Sequence, residues 1–361
     1  MHLLSSLVPH RQQTPDPITH DSTSYTTRNN KAARLVEWIS ALPHPSPRSM
    51  NSSEQFMVMP TGIAAEKYPL EGRDLQLVTR DEIVKSISIA PEIRLCEGAP
   101  SVARVTSSAV VKWGRHIHLS EARNMQYVIE HTQIRLPTVI DAWEVDDMTE
   151  GDEFNTCYIL MEYINGKVLI DIWDELDEKA QRGIQSQIYE YICQLQNLHL
   201  KTPGPFGGGI SEDALFTGYG AGPFESPKDL EAWYNDRLLV CHDYGRATHL
   251  SPGAFSGKFN ELVMCHLDLN QRNVLLDDEG KIWLIDWASA EAYPPWFEKA
   301  QLAWGASSSW RIGLLELIGK EVHQDEIDQL LAIGFALTTG GYAQPRARSV
   351  EDIVGTTISH P

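Results

Sequence analysis

Residues 265–276 read CHLDLNQRNVLL and residues 282–287 read IWLIDW, and these two stretches carry the clearest structural pattern in the chain. The first is a polar loop that carries Asp268 and ends with Asn273 at the start of an apolar run. The second is an apolar run that ends at Asp286. The intervening DDEG is a typical turn sequence, so the pattern predicts two short strands joined as a hairpin.

The polar residues at the ends of this hairpin suit phosphoryl transfer. That reaction needs one carboxylate to orient or deprotonate the acceptor hydroxyl, and a carboxylate with an amide oxygen to hold magnesium. Asp and Asn also favour strand ends for local reasons, so a hairpin with surface carboxylates is the alternative. Two such loops, correctly spaced and each beside an apolar strand, favour the phosphoryl-transfer site over the plain hairpin.

The chain upstream of the hairpin first shows strand patterns. Arg80–Ser88 predicts a short helix, and the β-branched run Ser108–Trp113 predicts a strand. A helix with Ser120 as its N-cap should follow. Two further strands are predicted at 137–143 and 156–161.

Helical spacing dominates after Gly166. It predicts one long helix over 176–199 and two or three helices between 226 and 262. Because strands come first and helices later, rather than in alternation, the sequence predicts an α+β fold with segregated layers.

These motifs resemble the catalytic loops of the protein-kinase-like fold, H-x-D-x-x-x-x-N followed by a second Asp. The second Asp precedes Trp287 rather than Phe and Gly, which resembles the aminoglycoside phosphotransferase and choline kinase-like family. The wider sequence, with GPF at 222–224 and YPPWFE at 293–298, looks like the fungal phosphotransferase-enzyme branch of that family. The resemblance spans about residues 85–310 and implies a small β-rich N-lobe with a larger, mainly helical C-lobe.

The resemblance also implies roles for individual residues and the cofactors ATP and Mg²⁺. Asp268 would be the catalytic base, with His266 in a structural role, and Asn273 and Asp286 would hold the metal and complete the catalytic set. Lys112 would contact the ATP phosphates and be held by an ion pair with Glu121. The adenine would lie at the backbone of Glu162 and Ile164. The phosphate-covering segment contains only Gly98, with Ser101 and Arg104 as further candidate phosphate donors.

Two features depart from the family pattern. Leu267 stands where the family usually has Gly, and the chain has no G-x-G-x-x-G loop. Both support an alternative function, a catalytically weak or inactive kinase-like binding or scaffold protein. A protein kinase is disfavoured by the same missing loop and by the absence of D-F-G and A-P-E.

The composition limits the choice of partners. The 361 residues carry a formal net charge of −19, which argues against nucleic acid and anionic membranes as partners. The five scattered cysteines indicate reduced thiols and a cytoplasmic location. We expect a small-molecule hydroxyl acceptor, an amino sugar, amino alcohol or similar metabolite; the sequence leaves the oligomeric state open.

The predicted organisation has four parts. Residues 1–55, which are rich in Ser, Thr and Pro, should form a disordered extension. Residues 80–164 should form the N-lobe and residues 165–345 the C-lobe, followed by a tail over 346–361.

Overall fold

The computed structural model describes residues 68–93, 101–147, 154–304 and 308–346 of the chain. All of these residues belong to one unit, Pro60–Pro361. The predicted extension over 1–55 and nearly all of the predicted tail lie outside the described residues, and the four-part division of the chain stays a prediction.

A five-stranded antiparallel sheet forms the small lobe. Its strands lie in the order β1-β2-β3-β5-β4. They are β1 (Glu92–Ile93), β2 (Ser101–Thr106), β3 (Ala109–Gly114), β4 (Val139–Asp147) and β5 (Phe154–Glu162). The central strand β3 carries the apolar run that the sequence predicted, and its register with β5 sets Lys112 opposite Ile159.

Two helices pack against this sheet. Helix α1 (Arg80–Ile87) begins with a capping box between Thr79 and Glu82, which satisfies free amide groups of the first turn. Helix α2 (Leu119–His131) connects β3 to β4. The prediction of Ser120 as its N-cap was wrong, because the N-cap is His118, two residues earlier, and it forms no side-chain cap.

The large lobe contains two small sheets, one of which includes the predicted hairpin. Strands β9 (Val274–Asp277) and β10 (Ile282–Leu284) form the predicted hairpin, and β6 (Gly166–Val168) extends it on the β9 side. The second sheet has the order β11-β8-β7, with β7 (His199–Leu200), β8 (Leu262–Cys265) and β11 (Glu291–Tyr293). Both sheets are antiparallel.

Helices make up most of the rest of the large lobe. They are α3 (Leu169–Ile172), α4 (Glu178–Gln196), α5 (Pro227–Asp243), α6 (Trp296–Ala303), α7 (Ser309–Ile318), α8 (Gln324–Ala332) and α9 (Gly334–Leu337). The long helix predicted over 176–199 is α4. The prediction of two or three helices between 226 and 262 was wrong, because only α5 forms there. Gly245, Gly253 and Gly257 adopt positive φ after it and hold the chain in turns.

The buried side chains tie the hairpin into the core of the large lobe. One core cluster joins α4 to the hairpin through residues such as Ile188, Leu284 and Trp287. A second, aromatic-rich cluster joins α5 to α6 through Tyr234 and Phe297. Strand β8 touches both, because Met264 belongs to the first and Val263 and Cys265 to the second. The loop that leaves β8 is therefore held from two sides.

The architecture confirms the predicted α+β fold of the protein-kinase-like type, with a small β-rich lobe and a larger, mainly helical lobe. No helix in the described part of the chain is long and apolar enough to cross a membrane.

Candidate active site

The loop after β8 brings Asp268 and Asn273 into contact. Asn273 is buried in a short 3-10 turn, and its Nδ2 donates to Oδ2 of Asp268 at 2.7 Å and to the Asp268 carbonyl oxygen at 3.0 Å. The side chain of Asp268 is only 18% exposed, at the mouth of the loop. Both residues thus lie together, as the spacing along the sequence predicted.

Asp286 lies beside this loop because the two loops are joined by main-chain bonding. The Ile285 N–H donates to the Asn273 carbonyl at 3.0 Å, immediately before Asp286. Asp286 itself has a φ of 61°, a left-handed conformation in which Asp and Asn occur more often than other non-glycine residues. The hairpin therefore sets one carboxylate and one amide within a single small site.

Lys112 connects the small lobe to that site. Its Nζ donates to Oε1 and Oε2 of Glu121 at 2.7 and 2.8 Å, and to Oδ1 of Asp286 at 2.9 Å. Lys112 and Glu121 are both buried. Burial acts to lower the pKa of Lys112, but the carboxylates of Glu121 and Asp286 outweigh it and raise that pKa to about 12. The lysine is therefore a fixed cation between strand β3, helix α2 and the hairpin.

The charge on Asp286 depends on the same lysine. Burial acts to raise the pKa of Asp286, but the Lys112 ammonium outweighs it, with smaller contributions from His266 and Arg272, and leaves the pKa below its usual value. Asp286 is consequently ionised at neutral pH and can serve as a negatively charged oxygen ligand.

His266 supports the loop rather than facing solvent. It is fully buried, its ring packs against Trp287 with centroids 4.6 Å apart, and its Nδ1 accepts a hydrogen bond from the Asp268 N–H at 3.3 Å. Burial lowers the pKa of His266, so the ring is neutral at pH 7. These contacts suit the structural role that the resemblance implied for it.

Glu298 binds the backbone of the same loop, although no role for it was predicted from the sequence. It is buried in α6, and Oε2 accepts hydrogen bonds from the His266 N–H at 2.6 Å and the Leu267 N–H at 3.3 Å. Burial raises the pKa of Glu298 to about 7. The signal that could have revealed it is a lone acid in the apolar run YPPWFE.

Three further polar residues near Asp268 were also missed. The Arg272 Nη2 donates to both oxygens of Asp268, at 2.8 Å to Oδ1 and 2.6 Å to Oδ2. Asn270 also donates to Oδ1, and Arg311 from α7 donates to Oδ1 of Asn270 at 3.0 Å. The four-residue spacing of Asp268 and Arg272 was the available signal for the first of these contacts.

The interlobe linker follows β5. The Glu162 N–H donates to the Thr138 carbonyl at 2.9 Å and the Tyr163 N–H to the Ser108 carbonyl at 2.8 Å, so these two amides are used within the small lobe. The carbonyl of Glu162 and the backbone of Ile164, which is buried, remain the predicted groups for adenine. Their role stays a prediction.

The phosphate-covering segment can be described only at its end. Gly98 lies outside the described residues. Arg104 is not placed as a phosphate donor, because its guanidinium donates to the carbonyls of Thr106 and Ser107 and lies over the ring of Tyr163 at 3.6 Å. That arginine instead fastens the β2–β3 turn to the linker.

The donor set of the site fits a magnesium ion. Asp286 offers a carboxylate, and Asn273, with its Nδ2 engaged by Asp268, offers its amide oxygen. Mg²⁺ prefers such hard oxygen ligands and usually completes its shell with water and substrate phosphates. The described residues contain no group of three or more His, Cys, Asp or Glu suited to a metal.

Comparisons with known proteins identify the family. The search of curated proteins found no match. Similar solved structures include a thermostable mutant of aminoglycoside phosphotransferase APH(4)-Ia in a ternary complex with ADP and hygromycin B. It is 16% identical, with 78% of this chain and 99% of that chain covered and a TM-score of 0.47. Another is APH(2")-IIia with GDP and kanamycin, 14% identical, with 67% and 82% covered and a TM-score of 0.42. The profile of the phosphotransferase enzyme family matches residues 99–330, more than half of the chain. The chain therefore belongs to the phosphotransferase enzyme family and is a kinase of the protein-kinase-like fold.

Proposed function

We propose that the protein transfers the γ-phosphoryl group of Mg-ATP to a hydroxyl of a small molecule, an amino sugar, amino alcohol or similar metabolite. The observation that carries this proposal is the contact of Lys112 with both Glu121 and Asp286. A buried cation from the small lobe meets the anionic hairpin of the large lobe there, as a site for nucleotide phosphates requires. The acceptor class rests on family membership alone.

Each residue has a role in this proposal. Lys112, positioned by Glu121, binds the phosphates, and the backbone of Glu162 and Ile164 binds the adenine. Asn273 and Asp286 hold magnesium, which when bound neutralises charge on the phosphate oxygens. Gly98 belongs to the segment that covers the phosphates.

Asp268 is the proposed base in the transfer. It orients the acceptor hydroxyl and accepts its proton as the new bond to phosphorus forms. The catalytic work is mostly positioning and charge stabilisation, which a site built on buried strands and a tethered loop supports.

The alternative is a kinase-like binding protein with little or no activity. One argument for it was Leu267 in place of the usual Gly. The leucine adopts a φ of 60° with its side chain buried, and Asp268 and Asn273 still meet beside it. This geometry supports the enzyme over the inactive protein.

Thermal unfolding with ATP or GTP, each with and without magnesium, tests the nucleotide site. A ligand that binds only the folded state raises stability by mass action, by about 2.7 kcal/mol at ~100-fold excess over its dissociation constant. We expect a magnesium-dependent increase in the midpoint. The absence of any increase at millimolar nucleotide would favour the binding-protein alternative.

A screen of hydroxylated metabolites for phosphate transfer would then identify the acceptor. Asp268→Asn should abolish transfer to it while leaving nucleotide binding in place, because the base contacts the acceptor. Asp278→Asn is the matched control, since Asp278 lies exposed in the turn of the same hairpin and contacts Asn165 instead. Transfer by Asp268→Asn within a few-fold of wild type would exclude the proposed base.

A further inference from the structure

The carboxylate of Asp268 has no free position for an acceptor hydroxyl. Its Oδ1 accepts from Asn270 and Arg272, and its Oδ2 accepts from Arg272 and Asn273. A carboxylate offers about four lone-pair positions, and these four hydrogen bonds occupy them. Because a base must form a hydrogen bond with the hydroxyl it deprotonates, one donor has to leave before Asp268 can act.

Arg272 is the donor that is free to leave. Asn273 is buried and also bound to the Asp268 carbonyl, and Asn270 is fixed through its own oxygen by Arg311. The side chain of Arg272 is 50% exposed, and among the described residues both of its hydrogen bonds go to Asp268. Solvent screens an ion pair whose arginine is half-exposed, so a competing anion can draw Arg272 away from Asp268.

In the proposed function, a bound nucleotide would bring a competing anion close to Arg272. In the proposed function the transferred group lies between Asp268 on the acceptor side and Asp286 on the metal side. Arg272 contacts the first of these carboxylates directly, through Oδ2 of Asp268 at 2.6 Å. A guanidinium matches the geometry of phosphoryl oxygens better than an ammonium does, because it presents a planar fork of donors.

We infer that Arg272 is a further catalytic residue, which covers Asp268 in the empty enzyme and moves to the γ-phosphoryl group when the nucleotide binds. This inference rests on the proposed function. The acceptor oxygen then bonds to the γ-phosphorus, the bond to the bridging oxygen breaks with its electron pair remaining on ADP, and Asp268 takes the hydroxyl proton. Arg272 forms no covalent bond; it supplies charge opposite Lys112 and uncovers the base.

The test compares ligands that differ in the γ-phosphoryl group. Calorimetric titration with Mg-ADP and with the non-hydrolysable Mg-AMP-PNP would be carried out on wild type, Arg272→Ala and Arg272→Lys. We expect Arg272→Ala to weaken AMP-PNP binding about tenfold with ADP binding unchanged, because only AMP-PNP carries the group that the guanidinium binds. The AMP-PNP affinity of Arg272→Lys should lie between those of wild type and Arg272→Ala, because lysine keeps the charge and loses the planar fork of donors.

Arg80→Ala is the matched control. Arg80 is also a half-exposed arginine, 54% against 50% for Arg272, and it forms a similar pair with Asp141 at 2.8 and 2.9 Å in the small lobe. Arg80→Ala should change the affinity for neither Mg-ADP nor Mg-AMP-PNP.

Two outcomes would overturn the inference. An equal loss of ADP and AMP-PNP affinity in Arg272→Ala and Arg272→Lys would show that the arginine only supports the loop, and unchanged affinities would show that it does not contact the nucleotide. Either result would leave the proposed function standing. If wild type bound neither nucleotide, the proposed function would fail and the inference with it.

Discussion

The carboxylate of Glu298 accepts a hydrogen bond from the backbone N–H of Leu267, a residue with a φ of 60°. This contact holds the loop after β8 in a conformation that glycine adopts freely and leucine does not. The leucine side chain is buried in the aromatic-rich core of the large lobe. Leu267 thus stabilises the fold through its buried side chain, whereas the family's usual glycine would adopt this backbone conformation without strain.

Two substitutions at Leu267 separate these effects. Leu267→Ala and Leu267→Gly both remove the buried side chain, but only glycine relieves the left-handed backbone, which costs other residues about 1–2 kcal/mol. We expect both variants to be less stable than wild type, with Leu267→Gly more stable than Leu267→Ala by about 1 kcal/mol. Denaturant unfolding measures the difference.

Leu284 provides the control for that comparison. It is fully buried in strand β10, where glycine should be the less stable substitution by about 0.5–1 kcal/mol. If alanine were the more stable replacement at both positions, the φ of Leu267 would carry no strain.

Glu298 should make stability depend on pH. Burial raises its pKa from 4.5 to about 7, so the folded protein binds a proton that the unfolded chain releases. The contribution of this bound proton to the free energy of unfolding is therefore complete below pH 4.5 and is lost as pH rises through 7. The total loss is up to about 3 kcal/mol. Compared with wild type, Glu298→Gln should gain stability as pH rises from 5 to 8.

Unfolding curves of the two proteins across this range measure the effect as a difference. Glu298→Gln must be compared with wild type because burial also raises the pKa of Asp213 to about 7, so that Asp213 titrates in the same pH range. Glu82→Gln is the control, since the pKa of Glu82 is lowered to about 2 and it stays ionised throughout. A difference between Glu298→Gln and wild type that does not change with pH would contradict the assignment.

Much of the site could be predicted because it depends on short-range sequence. Asp268, Asn273 and Asp286 are set by one hairpin, whose strands and turn have clear local signals. Lys112 and Glu121 could be paired in advance only through the family resemblance, since a strand lysine and a first-turn glutamate are ordinary by themselves.

The remaining contacts depend on tertiary packing that a single sequence does not reveal. Glu298 reaches the loop after β8 only because α6 and β8 share one core, and nothing in the local pattern around Glu298 specifies that partner. The turns after α5 were mistaken for helices because their apolar residues, including Phe255 and Phe259, are buried as a helix face would be. Burial pattern alone does not separate a packed turn from a helix.

Lys112 should be essential to stability as well as to nucleotide binding. Lys112→Met leaves Glu121 buried without its cation, and breaking such a pair costs about 3–5 kcal/mol. Adding Glu121→Gln removes the stranded charge, so we expect the double variant to be more stable than Lys112→Met alone. Denaturant unfolding of the single and double variants measures this coupling.

The exposed pair of Lys281 and Glu279 is the control for this cycle. Lys281→Met should change the free energy of unfolding by less than about 1 kcal/mol, because both side chains are substantially exposed. A Lys112→Met variant as stable as wild type would show that Glu121 finds another partner or takes up a proton at little cost.

Asp286 offers the sharpest test of the metal site, because its backbone conformation limits which substitutions are informative. Its φ of 61° is tolerated by Asn but strains Ala, so Asp286→Ala would mix backbone strain with loss of a ligand. Asp286→Asn keeps the backbone preference and removes the negative charge that pairs with Lys112 and would bind magnesium.

We expect this variant to fold, and to lose most of the magnesium-dependent part of its stabilisation by AMP-PNP, while keeping the part seen without metal. Thermal unfolding with AMP-PNP, with and without magnesium, measures both parts. A variant that kept the full magnesium effect would place the metal on other ligands.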